Sequence, residues 1–179
     1  MKHQKILTLC EGAMSVALAF ALGYVNIPTG GFGGSISLCM LPLALYALRR
    51  GWTWGMGAGL VYGLIDFLTG GLGVTWQSII LDYLVAYALV GVAGCFPGHP
   101  VIGTVLGGVA RYVALVLSGV FIWGEYMHDL EFFGRTLKMT NVWVYSLVYN
   151  IQYMLPSIVI VTVCIAILKK TTKLVDRQG

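Results

Sequence analysis

Polar side chains interrupt several long apolar runs of this sequence. Asp82 and Tyr83 lie inside the apolar run of residues 77–96. An ionisable residue inside a membrane-spanning run costs free energy, so its presence indicates a function. Aromatic faces attract cations, and a carboxylate supplies charge and orientation. Together with an amide, such groups would form a pocket for a flat, cationic, hydrogen-bonding ligand. The candidate pocket residues are Asp82, Tyr83, Trp123, Tyr145, Tyr149 and Asn150.

These residues come together only if helices carry them. Tyr145 and Tyr149 are four positions apart and Asn150 is five from Tyr145, so all three share one broad face of a helix. Trp123 ends the preceding apolar run, and Asp66 lies near the end of an earlier one.

Composition indicates a membrane protein. The chain has 179 residues, of which 58% are hydrophobic and 10% charged, whereas about a quarter of the residues of a soluble domain are charged. The net charge of +4 does not indicate a nucleic-acid partner, because most basic residues lie at the ends of apolar runs. The four cysteines lack ligand spacing, so we expect no metal site and no disulfide framework.

Six apolar runs predict transmembrane helices, which need about 20 residues each. The first run contains Glu11 and has no clear signal-peptide cleavage site. Strands are unexpected, because the runs lack the alternation of a membrane barrel. The sequence therefore predicts an all-α integral membrane protein in which residues 1–179 form one six-helix domain. The predicted helices cover residues 6–24, 36–48, 54–68, 77–96, 101–123 and 141–168.

Basic residues predict the orientation in the cell membrane. Lysine and arginine favour cytoplasmic loops, and eight of them share one side, whereas Arg135 and Lys138 lie on the other. Both termini are therefore expected in the cytoplasm. The outer loops would be residues 26–34, 69–76 and 124–140, which places the candidate pocket in the outer half of the bundle.

Other polar and aromatic residues have simpler interpretations. Arg111 is expected to be structural and to pair with Glu11 or Asp66, and His128 is weak evidence for a ligand contact. Glu125, His128, Asp129 and Glu131 are expected to be solvated. Residues at helix ends are interpreted as an interfacial aromatic belt, namely Tyr46, Trp52, Trp54 and Trp143.

Absent motifs restrict the function. The sequence contains no G-x-x-x-x-G-K-[ST], H-E-x-x-H or G-x-S-x-G motif, so neither intrinsic ATP hydrolysis nor these two kinds of hydrolytic site is indicated. Six helices without a repeat are few for a self-sufficient secondary transporter. A binding protein driven by partners fits better. A small membrane enzyme, or a proton-coupled carrier using Asp82 or Asp66, is the alternative of a different class.

Small residues on the first helix form a possible docking surface. Ala13, Ala17 and Ala21 recur every four positions beside Gly12, and this spacing lets another helix approach closely. The approaching helix could belong to a partner or to the same chain.

Five stretches occur in an order that resembles a known family. They are Glu11–Phe20, the A-L-R-R-G of residues 47–51, the L-D-Y-L of residues 81–84, Ser118-Gly119 with Trp123, and the Y-S-L-V-Y-N of residues 145–150. Over nearly its whole length the chain resembles the thiamine-specific substrate-binding (S) component of energy-coupling factor (ECF) vitamin transporters.

The resemblance implies a six-helix fold whose outer pocket is covered by the loop after the first helix. It implies that Asp82, next to Tyr83, binds the aminopyrimidine, that Trp123 stacks on the ligand, and that Tyr145 and Asn150 complete the polar contacts. Gly119 would leave room for the ligand. No cofactor is implied.

The resemblance also implies protein partners. Ala13 and Ala17 would dock onto the membrane-spanning coupling subunit, and two cytoplasmic ATPases would power transport. The chain differs from some members at Asp82, where they have glutamate, at Leu115, where they have histidine, and in the glycine-rich loop 30–34, where they have tryptophan. An S component for another vitamin or a pyrimidine precursor therefore remains an alternative.

Overall fold

A bundle of helices forms the described part of the chain. The computed structural model describes residues 2–29, 34–73, 75–126, 130–132, 135–137, 140–172 and 175. Within these residues the helical segments are α1 (Lys2–Tyr24), α2 (Met40–Arg50), α3 (Trp52–Leu68), α4 (Trp76–Cys95), α5 (Pro100–Phe121) and α6 (Val142–Thr171). The six predicted helices are thus present in the predicted order.

Four of these helices, α1, α4, α5 and α6, are long and apolar enough to cross a membrane. The other two are shorter, with 11 residues in α2 and 17 in α3, or about 16 and 25 Å at 1.5 Å per residue. They are joined directly at Gly51, whose φ of 97° favours glycine. Its N–H donates to the carbonyl oxygen of Ala47 at 2.8 Å, which ends α2 and lets α3 reverse direction.

Two short hairpins contradict the expectation that strands are absent. β1 (Asn26–Pro28) pairs antiparallel with β2 (Ser35–Ser37), and β3 (Leu130–Phe132) pairs with β4 (Arg135–Leu137). Three-residue strands are too short to give a clear alternating pattern, so the sequence offered little signal for them. Because Ile36 lies in β2, α2 begins at Met40 rather than at residue 36.

The hairpins define one end of the bundle. α1, α3 and α5 finish at this end, which we call the hairpin end, whereas α2 and α6 finish at the opposite end, which we call the termini end. A bidentate ion pair lies toward the termini end, where Arg50 Nε and Nη2 bind the two carboxylate oxygens of Glu11 at 2.7 and 2.9 Å. Arg49 adds a contact to Glu11 at 3.4 Å. These contacts attach α1 to α2.

Tyr46 does not belong to an interfacial belt, contrary to the sequence interpretation. Its side chain is buried, and its hydroxyl donates to the carbonyl oxygen of Thr8 at 2.9 Å. The predicted belt is exposed at Trp52, Trp54 and Trp143. Tyr46 instead fills the contact between α1 and α2.

Helix α3 packs against α4 through glycines. A Cβ atom on Gly59 would lie 2.3 Å from the carbonyl oxygen of Tyr87, and one on Gly63 would lie 2.4 Å from that of Tyr83. Both obstacles are backbone atoms, which cannot move aside as a flexible side chain can. The absence of side chains at these positions therefore sets the distance between α3 and α4, and with it the position of the residues that α4 presents on its inner face.

Gly59→Ala is expected to lower the thermal unfolding midpoint of the detergent-purified protein by several degrees. Overpacking of this kind costs about 1–3 kcal/mol, and here the added methyl meets backbone. Gly57→Ala is the matched control, because Gly57 lies in the same helix with no atom within 4 Å of its built Cβ. That variant should unfold at the wild-type temperature or slightly above it, since alanine favours helix. Equal midpoints for the two variants would show that the contact between α3 and α4 is not tight.

Candidate functional site

Helix α4 is irregular where it carries the predicted acidic residue. It begins with a capping box, in which Thr75 and Ser78 each accept a hydrogen bond from the other's backbone N–H at 3.3 Å. Residues Ile79–Val85 then form a π-helical segment. Such segments widen the helix and occur frequently at functional sites. Asp82 and Tyr83 both lie in this segment, and both line one cavity.

The Asp82 carboxylate is hydrogen-bonded across the bundle. Trp123 Nε1 donates to Asp82 Oδ2 at 2.8 Å. α5 ends at Phe121, two residues earlier than predicted, and Trp123 begins the short 3₁₀ helix Trp123–Tyr126. The indole thus lies just beyond the end of α5, within hydrogen-bonding distance of α4. A partly buried carboxylate with one satisfied oxygen retains acceptor capacity for a ligand.

Helix α6 contributes the aromatic and amide groups that its spacing predicted. Tyr145 and Tyr149 are parallel, with ring centroids 6.0 Å apart. The Asn150 amide donates to the carbonyl oxygen of Ser146 at 2.8 Å, and its oxygen accepts from the Tyr153 hydroxyl at 2.5 Å. The amide is therefore held in one orientation by its own helix.

The β1–β2 hairpin is fastened to the same helix. The Gly34 N–H donates to the Tyr149 hydroxyl at 3.1 Å, and the Ser37 N–H donates to Ser157 Oγ at 3.3 Å. Gly34 and Ser37 also line the cavity. The described part of the loop after α1 therefore covers one side of the cavity mouth, whereas residues 30–33 of the glycine-rich loop and His128 lie outside the described residues.

A cavity of about 380 Å³ brings the predicted pocket residues together. This volume is toward the lower end of the range for small-molecule sites, about 300–1,000 Å³. All seven residues expected to bind the ligand line it, namely Asp82, Tyr83, Gly119, Trp123, Tyr145, Tyr149 and Asn150. Ala13 and Ala17 do not belong to it and are exposed on α1.

Gly119 has a different neighbour from the one implied by the resemblance. A Cβ built there would lie 2.1 Å from Ser146 Oγ, so a side chain would first meet α6. The glycine therefore allows α5 and α6 to approach closely at the cavity wall. Its backbone still lines the cavity between Leu115 and Trp123.

Sequence reasoning missed a polar cluster deeper in the same cavity. The Asp66 carboxylate accepts from the hydroxyl of Tyr87 at 3.0 Å and from that of Tyr62 at 3.5 Å. The guanidinium carbon of Arg111 lies 3.9 Å from the centre of the Tyr87 ring. Arg111 is thus paired with neither Glu11 nor Asp66, and that expectation is wrong. Spacing along one helix gave no signal for the cluster, because its members lie on three helices.

The described residues hold no group of three histidine, cysteine or acidic side chains that could bind a metal ion. The site consists instead of carboxylates, a guanidinium, aromatic rings and an amide around a partly open cavity. With the apolar helices, these features define a membrane-embedded binding protein for a small molecule with hydrogen-bonding groups.

Comparison with known proteins identifies the family within this class. The family described as thiamine transporter protein matches residues 9–176. The thiamine transporter ThiT of Bacillus subtilis is 32% identical over 95% of this chain and 94% of its own length. That of Lacticaseibacillus paracasei is 30% identical over 93% of this chain and 89% of its own. A solved structure of ThiT from Listeria monocytogenes superposes with a TM-score of 0.83 and 28% identity, covering 98% of this chain and all of the other.

The chain belongs to the thiamine transporter protein family. The resemblance found in the sequence is therefore confirmed, and so is the all-α membrane fold. The prediction that the chain is not an enzyme also agrees with a family of transporters.

Proposed function

We propose that this chain binds thiamine in the cavity at the hairpin end and serves as the substrate-capture subunit of an ECF-type transporter. One observation carries the proposal, namely the Asp82 carboxylate, fixed by Trp123 at 2.8 Å inside a cavity lined by aromatic rings. Membership of the thiamine transporter family supports thiamine as the ligand.

The chemistry of thiamine matches this lining. Its aminopyrimidine donates hydrogen bonds through the amino group, which the carboxylate of Asp82 and the amide of Asn150 are suited to recognise. The flat rings offer stacking surfaces to Trp123 and to Tyr145. The permanent positive charge of the thiazolium ring favours aromatic faces. No bond is made or broken, so capture requires only that the ligand replace water in the cavity.

The charge of the lining suits a cation. Among the described lining residues, Asp66 and Asp82 are acidic and Arg111 is basic. One acidic side chain in excess is complementary to a ligand with a single positive charge. Because the cavity is partly closed from solvent, this attraction is screened less than at a surface.

The exposed surface of the bundle supports the proposed protein partners. Ala13 and Ala17 are exposed on α1, so no helix of the described chain covers them. Small residues at this spacing permit close helix contact, and we propose that the coupling subunit docks here. Because the sequence has no phosphate-binding loop, two ATPase subunits would supply the energy. The basic residues at the termini end support a cytoplasmic location for both termini.

Asp82→Asn is expected to weaken thiamine binding at least about tenfold, since hydrogen bonds to charged groups contribute about 1.5–3 kcal/mol. An asparagine oxygen still accepts from Trp123, so the variant should fold. Calorimetric titration of the purified chain measures the dissociation constant. Glu125→Gln is the control, because Glu125 is an exposed acidic residue of the 3₁₀ helix outside the cavity. Unchanged binding by Asp82→Asn would contradict the role of Asp82.

Ala13→Leu and Ala17→Leu are expected to abolish thiamine uptake by cells that contain the coupling module, because the larger side chains prevent close helix contact. Thiamine binding by the purified variants should equal that of the wild type. Ala166→Leu provides the control, since Ala166 is exposed on α6 and the substitution is the same. Wild-type uptake by Ala13→Leu and Ala17→Leu would contradict docking at α1.

A further inference from the structure

Arg111 lines the ligand cavity from the middle of α5 and is about nine-tenths buried. Arg111, Leu115 and Gly119 recur every four residues, and all three line the cavity. Eight residues of helix rise about 12 Å, so Arg111 lies about two turns from Gly119, toward the termini end. Asp82 and Trp123 are at the opposite end of the same space.

The guanidinium has unused donors. In the described part of the chain no carboxylate lies within ion-pair distance of it, and its Nε has no hydrogen-bond partner. Its Nη1 makes a long contact with the Cys39 sulfur, at 4.0 Å. Asp66, the acidic residue of this cluster, instead accepts hydrogen bonds from two tyrosine hydroxyls. Arginine carries five N–H donors.

The Tyr87 ring offsets part of the cost of burying this charge. With the guanidinium carbon 3.9 Å from its centre, the ring stabilises the cation through its face. The ring face offers no lone pair to the guanidinium N–H groups. These donors require an acceptor, and the cavity is where one can enter.

We propose that Arg111 forms a second polar subsite, which binds an oxygen acceptor at the end of the ligand remote from Asp82. The inference rests on the proposed function, because thiamine carries a hydroxyethyl group on the ring opposite its aminopyrimidine. That oxygen is either a free hydroxyl or a phosphate monoester. A planar guanidinium binds phosphate oxygens in pairs, so the ester should depend on Arg111 more strongly than the alcohol.

Three ligands and three proteins test the subsite. Calorimetry would measure the binding of thiamine, its monophosphate and an analogue with hydrogen in place of the hydroxyl, to wild type, Arg111→Met and Arg111→Lys. The wild type should bind thiamine about tenfold or more tightly than the deoxy analogue. Arg111→Met should bind the two alike, and Arg111→Lys should retain part of the difference.

The ratio of the affinity for thiamine to the affinity for the deoxy analogue separates ligand contact by Arg111 from a structural role. If Arg111 only supports the fold, Arg111→Met weakens all ligands equally and the ratio is unchanged, which overturns the subsite. Equal binding of thiamine and the deoxy analogue by the wild type overturns it without any variant. If Arg111→Met loses more affinity for the monophosphate than for thiamine, the result supports recognition of the phosphate. If it loses equal affinity for these two ligands, and less for the deoxy analogue, the result supports recognition of the hydroxyl. If the wild type binds no thiamine, the proposed function itself fails.

Discussion

The hydrogen bond between Asp82 and Trp123 is the constraint on which the cavity depends. A carboxylate among apolar helices is costly unless a donor reaches it, and the donor here comes from beyond the end of α5. The bond therefore fixes the π-helical segment of α4 relative to the start of the loop after α5. Both residues line the cavity, and the Asp82 carboxylate retains acceptor capacity for a ligand.

The surrounding packing keeps the cavity wall in place through small residues. Gly59 and Gly63 bring α3 against the backbone of α4, and Gly119 brings α5 against Ser146 of α6. Within a bilayer the hydrophobic effect does not drive helices together, so close contact and hydrogen bonds have to do so. Large aromatic residues, such as Tyr83 and Tyr149, line the cavity that this packing surrounds.

The sequence was informative where signals were local. Asp82 was conspicuous inside an apolar run, and the four-residue spacing of Tyr145 and Tyr149 indicated one helix face. The cluster of Tyr62, Asp66, Tyr87 and Arg111 could not be predicted in this way, because its contacts join residues 4 to 24 positions apart on three helices. Each of these residues alone fits an interpretation as packing. The three-residue strands were missed because so few residues give no period.

The contacts of Asp66 explain why the donors of Arg111 remain available at one polar end of the cavity. Asp66 lies near Arg111 in the same cluster, and an ion pair between them would have left neither group for a ligand. The tyrosine hydroxyls occupy the Asp66 carboxylate instead, and the Tyr87 ring contacts the guanidinium by its face. One tyrosine thus contacts both charges and keeps the donors of Arg111 available. A ligand that donates at one end and accepts at the other satisfies both ends, whereas a compact cation satisfies only Asp82. The distribution of hydrogen-bonding groups along the cavity therefore selects for an elongated molecule, beyond what charge alone selects.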